Sequence, residues 1–259
     1  MTLVKLAGWA IVLGIVVGSP VVETIAFPEM AIAQEQTSEI DRAIADGNRL
    51  FREGSAESLR KAIEQFEKAL ELARSTKAQD KQALSLLRLG RLHSDLGEKP
   101  KALDYYNQAL PLYRAVGDRS GEATTLNNIG RVYDALGEKT KALDYYNQAL
   151  PLYRAVGDRS GEATTLNNIG RVYDALGEKT KALDYYNQAL PLRRAVGDRS
   201  GEATTLNNIG SVYSALGEKT KALDYYNQAL PILRAVGDRS VEATTLNNIG
   251  SVYSALGEK

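Results

Sequence analysis

Paired asparagines recur 40 residues apart, at Asn127-Asn128, Asn167-Asn168, Asn207-Asn208 and Asn247-Asn248. A carboxamide carries an acceptor and two donors, so a row of them offers groups spaced to hold an extended peptide backbone. Other chemistry-bearing types are scarce or badly placed. His93 is the only histidine and there is no cysteine. The missing cysteine removes disulfides, thiolate nucleophiles and cysteine metal sites. No set of further ligands is arranged around His93 for a metal, and no other base stands ready to activate a serine. His93 is therefore expected to be a packing side chain, in the position Tyr133 takes one unit later. The glycines are spaced as helix contacts and turns, unlike a phosphate-cradling loop. The expectation is a chain without catalytic chemistry and without a cofactor. Thirty-two basic residues balance 32 acidic ones with no basic run, so a phosphate-binding surface for nucleic acid is not expected either.

The asparagines belong to a repeat. Lys101–Thr140 reads KALDYYNQALPLYRAVGDRSGEATTLNNIGRVYDALGEKT and recurs unchanged at Lys141–Thr180. It returns at Lys181–Thr220 with three substitutions, and again from Lys221 to Lys259. A fixed period of this length marks a solenoid, in which each unit buries its apolar face only by stacking on its neighbours.

Within a unit the apolar residues recur at helical spacing. Leu126, Ile129, Val132, Tyr133 and Leu136 make one apolar face, ended by Gly137. Ala142, Leu143, Tyr146, Ala149 and Leu150 make a second. Gly117 closes the preceding copy of that second helix, and Asp118 or Ser120 can cap the next. The unit is thus two antiparallel helices: helix A over about Arg119–Leu136 and helix B over about Lys139–Val156. Small residues at Gly130, Ala142 and Ala149 let the two approach. Pro111, Pro151, Pro191 and Pro231 fall inside helix B and predict either a repeated kink or a helix end there. Tyr105, Tyr145, Tyr185 and Tyr225, beside the core tyrosines, are expected to flank the core.

Leu126, Gly130, Tyr133, Gly137, Ala142, Tyr146 and Ala149 match the spacing of the tetratricopeptide repeat (TPR) signature. Gly90, Gly97, Ala102, Tyr106 and Ala109 repeat the match one unit earlier, and Gly47, Gly54, Ala62, Phe66 and Ala69 before that. The long unit resembles the repeats of kinesin light chain and LGN-type scaffolds. The near-identical copies resemble bacterial, notably cyanobacterial, TPR proteins, some with a CHAT peptidase-like domain. The resemblance implies an all-α TPR solenoid, a right-handed superhelix of about five helix pairs plus an unpaired final helix. It also implies a concave groove lined by helix A, away from helix B. Carried onto this chain, that groove is Thr124, Asn127, Asn128, Arg131 and Asp134, then Thr164, Asn167, Asn168, Arg171 and Asp174. It continues through Thr204, Asn207, Asn208, Ser211 and Ser214 to Thr244, Asn247, Asn248, Ser251 and Ser254. These side chains are expected to face water, with Arg131 and Asp134 able to pair. Two of the three substitutions, Arg to Ser and Asp to Ser, fall on this face; the third is Arg193 for Tyr153.

The flanks differ from the array. Residues 1–33 have the layout of a secretory signal: Lys5, an apolar run from Leu6 to Val17, Pro20, and Ala31-Ile32-Ala33 before Gln34. Export after cleavage is the expectation; an uncleaved segment would instead anchor the chain in a membrane. Residues 34–38 read as a polar linker, residues 39–76 as a divergent first repeat, and residues 77–259 as the array. The last helix A carries Leu246, Ile249, Val252, Tyr253 and Leu256 with no helix B after it, a stripe that a second molecule could cover by self-association. The expected function is an interaction scaffold that binds a peptide or protein segment in the helix A groove. The alternatives are the sensor array of a longer enzyme, CHAT peptidase-like, and a spacer without a ligand.

Overall fold

The computed structural model describes residues 28–257. Most of the expected signal segment lies outside the described residues. Eleven helices follow in order, and no strand occurs among the described residues. They are α1 (Pro28–Glu53), α2 (Ala56–Ser75), α3 (Gln79–Asp95), α4 (Lys99–Val116), α5 (Arg119–Ala135), α6 (Lys139–Val156), α7 (Arg159–Ala175), α8 (Lys179–Ala195), α9 (Arg199–Ala215), α10 (Lys219–Val236) and α11 (Arg239–Leu256). Odd-numbered helices are A and even-numbered ones B, giving five pairs and a final A. Each helix packs on the one before it, and each A also touches the next A along the stack. Residues 34–38, expected as a linker, are turns of α1.

Local chemistry explains the punctuation. Asp118, Asp158 and Asp198 cap helix A, each side chain accepting from the backbone N–H three residues on. That satisfies a donor which the first turn leaves free. Helix A ends at a glycine with positive φ, such as Gly137 at 80°. The backbone N–H of Glu138 donates to the Tyr133 carbonyl at 2.9 Å, a reversal that only glycine enters without strain. Helix B runs unbroken through Pro111, Pro151, Pro191 and Pro231. The proline rings lie on the exposed side of the helix, where water can reach the carbonyl left without a donor.

The core repeats with the sequence. Tyr106, Tyr146, Tyr186 and Tyr226 are fully buried, each lying under a helix A glycine. Phe66 fills the same place under Gly47 in the divergent first pair. Between pairs, Tyr113 lies against Gly121 and Tyr153 against Gly161. The last such contact is built differently, with Leu233 in the tyrosine position and Val241 in the glycine position. Leu233 is fully buried with Val241 packed in its cluster, so the smaller partner is matched by a larger one.

Two expectations about apolar faces need correction. Leu136, placed in the helix A stripe, is 45% exposed, and Leu176 and Leu216 behave alike. Leu256, at 46%, is therefore as wet as its counterparts on covered helices. The stripe is uncovered elsewhere on α11: Leu246 is 44% exposed where Leu206 is sealed, Tyr253 is exposed where Tyr213 is half-buried, Ile249 is half-buried where Ile209 is sealed, and Gly250 has nothing within 4 Å of its would-be Cβ. Val252 stays buried, packed in one cluster with Tyr226 of α10.

Candidate functional site

The face expected to line the groove is one side of α5, α7, α9 and α11. Its asparagines form a ladder between repeats. The Asn127 Oδ1 accepts from Asn168 Nδ2 at 3.3 Å and lies 3.2 Å from Thr165 Oγ1, whose single hydrogen is shared with the Gly161 carbonyl at 2.9 Å. Asn167 Oδ1 makes the same contacts with Thr205 and Asn208, at 3.4 and 3.3 Å. Asn207 Oδ1 makes them with Thr245 and Asn248, at 3.0 and 3.4 Å. Leu87 occupies the corresponding place on α3, so the ladder starts at α5.

This overturns the expectation that the asparagines face water. Asn127, Asn128, Asn168 and Asn207 are buried, because adjacent A helices pack closely enough to cover them. Asn167, Asn208 and Asn248 are half-buried, and Asn247 is exposed. Yet each rung is only half used. The Asn127 amide and the Asn168 carbonyl oxygen make no bond within the protein among the described residues, and neither is sealed from solvent. One donor and one acceptor per rung thus remain open.

The threonines assigned to the groove are Thr124, Thr164, Thr204 and Thr244. They bend their hydroxyls to the carbonyl four residues back, at 2.9 to 3.0 Å. Thr124 also accepts from the Tyr153 hydroxyl at 3.4 Å. Arg193, which replaces that tyrosine one unit later, donates to Thr164 at 2.9 Å and pairs with Asp198, so the bond survives the substitution. The sequence reading missed Thr165, Thr205 and Thr245. Their signal was present: they recur with the same period, one position from the threonines selected.

The charged residues also pair across repeats. Asp134 is buried between Lys139 Nζ, 2.5 Å away, and the guanidinium of Arg171 on α7. Arg131 is not its partner, contrary to expectation, and makes no ion pair or hydrogen bond among the described residues. The pairing crosses helices because the A-helix register sets position 134 against 171. Asp174 pairs with Lys179 at 2.6 Å. Ser214 receives Lys219 Nζ at 3.3 Å. Burial pushes up the pKa of the Tyr226 hydroxyl, and the neighbouring Ser211 partly draws it back. Ser251 and Ser254 are exposed. Burial drives the hydroxyls of Tyr106, Tyr146 and Tyr186 far above the ordinary tyrosine pKa. They therefore stay protonated at any physiological pH.

His93 packs, as its position suggested. It is buried, its Nδ1 lies 2.7 Å from Glu98, and its ring stacks on Tyr105 at 5.1 Å between centroids. Tyr133 on Tyr145, Tyr173 on Tyr185 and Tyr213 on Tyr225 repeat that stack at 5.4 to 5.5 Å. Lys141 Nζ stands 5.1 Å from the Tyr133 ring, a cation–π contact. The flanking tyrosines pack against the core, as expected, and their stacks join A to B.

A helical-pair solenoid with glycine-on-tyrosine contacts and a polar helix A face defines the class. The tetratricopeptide repeat family model matches residues 55–115, 112–155, 122–195, 192–235 and 201–259, and the chain belongs to that family. No curated protein matches the chain. Solved structures share its fold. One is the apo form of RapI, 18% identical, covering 85% of this chain and 83% of that one with a TM-score of 0.73. Another is a putative kinesin light chain with nearly identical TPR-like repeats from Podospora anserina, 14% identical, covering 80% and 98% with a TM-score of 0.60. A third is a Rap protein complexed with Competence and Sporulation Factor, 16% identical, covering 89% and 69% with a TM-score of 0.65.

Proposed function

We propose that the protein is a non-enzymatic scaffold whose concave face holds an extended segment of a partner protein. The observation that carries this is the half-used asparagine ladder. Each rung presents one open amide donor and one open carbonyl acceptor, the pair of groups a peptide bond presents in reverse. A buried or half-buried donor and acceptor gain most from a partner that bonds both. The fold is also one in which a Rap protein is found complexed with a factor, which supports a partner here. A sensor array within a longer enzyme would use the same face. Its support is the likeness to a signal-transduction ATPase with a tetratricopeptide repeat sensor, of which this chain spans 37%.

The test is a random peptide library panned against the full chain, with calorimetry on a selected peptide. Thr204→Trp with Thr244→Trp places two rings on the face without touching the ladder. Affinity should drop at least tenfold while helicity is unchanged. A selected peptide that binds the double variant as well as the parent overturns the groove.

A further inference from the structure

Four steps along the helix A face share one architecture, and comparing them isolates a single odd one. At each step the last turn of an A helix offers a side chain to a lysine at the start of the following B helix and to a residue on the next A helix. At the step from α5 to α7 these are Asp134, Lys139 and Arg171, and the carboxylate is clamped by both cations. From α7 to α9 they are Asp174, Lys179 and Ser211, one charge of each sign. From α9 to α11 they are Ser214, Lys219 and Ser251, a lone cation held by the serine hydroxyl and carbonyl. From α3 to α5 they are Ser94, Lys99 and Arg131.

That first step keeps both cations and lacks the carboxylate. Lys99 Nζ turns to the Ser94 carbonyl at 2.6 Å and lies 3.4 Å from its hydroxyl. Arg131 stands opposite Ser94 in the register that sets Arg171 opposite Asp134. Arg131 is half-buried and has no ion-pair or hydrogen-bond partner among the described residues. The nearby carboxylates are engaged elsewhere: Asp95 with Arg91 at 2.9 Å, and Glu98 with His93 and Lys101 at 2.7 and 3.0 Å. A half-buried guanidinium without an ion-pair partner is free to take an anion, and its planar fork matches a carboxylate.

We propose that Arg131 and Lys99, beside Ser94, form a subsite for the side-chain carboxylate of an aspartate or glutamate in the bound partner. That carboxylate stands where Asp134 stands one repeat later. The occupant is fixed by the internal precedent, since the same two cations at the next step hold a carboxylate. The subsite rests on the reading of this face as a peptide groove and adds polarity to it: the acidic residue of the partner lies at the α3–α5 end, and the neutral serine steps lie at the other.

The test uses N-acetyl-glutamate α-amide as probe and the full chain labelled for NMR of arginine side chains. The Arg131 Nε–H resonance should shift saturably with the glutamate probe and stay still with N-acetyl-glutamine α-amide. Ser94→Asp supplies the carboxylate from within and should weaken the probe's apparent affinity, read on the Arg131 resonance, at least tenfold while leaving the fold intact, as should Lys99→Gln. An equal response to both probes, or a response unchanged by Ser94→Asp, overturns the subsite. A response only to N-acetyl-glycine, whose carboxylate is terminal, also overturns it. The two readings fail separately. Selected peptides that bind the groove without preferring an acidic residue overturn the subsite alone. A glutamate-specific shift at Arg131 with no peptide binding leaves the subsite and overturns the groove.

Discussion

Gly130 and Tyr146 meet face to face: a Cβ built on the glycine would stand 2.7 Å from the tyrosine ring. The same contact recurs at Gly90, Gly170 and Gly210. Gly250 occupies the equivalent position on α11, in the same stretch TTLNNIGSVYSALGEK that surrounds Gly210, with nothing within 4 Å.

Identical substitutions at these two glycines should therefore have opposite signs. Gly130→Ala drives a methyl into a fully buried ring, an overpacking that costs about 1–3 kcal/mol and exceeds the gain in helix propensity. Gly250→Ala meets open space and gains up to about 1 kcal/mol from propensity alone. Urea denaturation of the two variants against the parent decides it. Two changes of the same sign would show that the ring contact is not what the glycine serves.

The asparagine ladder carries a second prediction. Asn127→Ala removes the acceptor that Thr165 and Asn168 share and leaves the buried Asn168 amide without it, at a cost of about 1–3 kcal/mol. Asn247→Ala, on an exposed side chain, should stay within about 0.5 kcal/mol of the parent. Thermal melts followed by circular dichroism compare them. Equal effects would mean that the ladder bonds contribute nothing net.

The helices, their caps and the core were legible because they follow from local rules. Asp118 caps, Gly137 turns and Tyr146 packs under Gly130 for reasons contained in one unit. What escaped the sequence depends on the contact between A helices of successive units. A one-residue ambiguity separates Thr124 from Thr125: both turn back to the carbonyl four residues earlier, but the successors of Thr125, namely Thr165, Thr205 and Thr245, also reach the ladder. Likewise Arg131 and Asp134 share a face three residues apart, but the stacking register assigns Asp134 to Arg171. Periodicity identifies a face. It does not say how closely the next helix approaches it, and that distance decided whether the asparagines were wet.

Residues 1–33 carry the export reading, which we advance as a proposal. If Ala31-Ile32-Ala33 is a cleavage site, the mature chain begins at Gln34. The first fully buried core residue among those described is Ile40, so this cut spares the core. N-terminal sequencing of protein recovered from a secreting host should read from Gln34. An intact Met1 on exported protein would refute cleavage.

The buried tyrosines make stability depend on alkaline pH. Desolvation lifts the pKa of Tyr106, Tyr146 and Tyr186 in the folded state, whereas in the unfolded chain they ionise near an ordinary value of about 10. Above that pH the unfolded state binds fewer protons than the folded one, so unfolding is favoured increasingly as pH rises. Each such hydroxyl contributes a loss of up to about 1.4 kcal/mol per pH unit. The slope begins near pH 10 and ends only when the folded state also ionises. Tyr146 isolates the effect, because its hydroxyl is buried with no hydrogen-bond partner. Tyr146→Phe removes a titrating group together with an unsatisfied one, so it should leave stability at pH 8 unchanged or slightly higher. At pH 11 it should make the protein measurably more stable than the parent. Urea midpoints at the two pH values test this. A variant that loses stability at pH 8 would show that the hydroxyl is bonded after all, and a variant with the parent's alkaline slope would show that Tyr146 is not sealed from solvent.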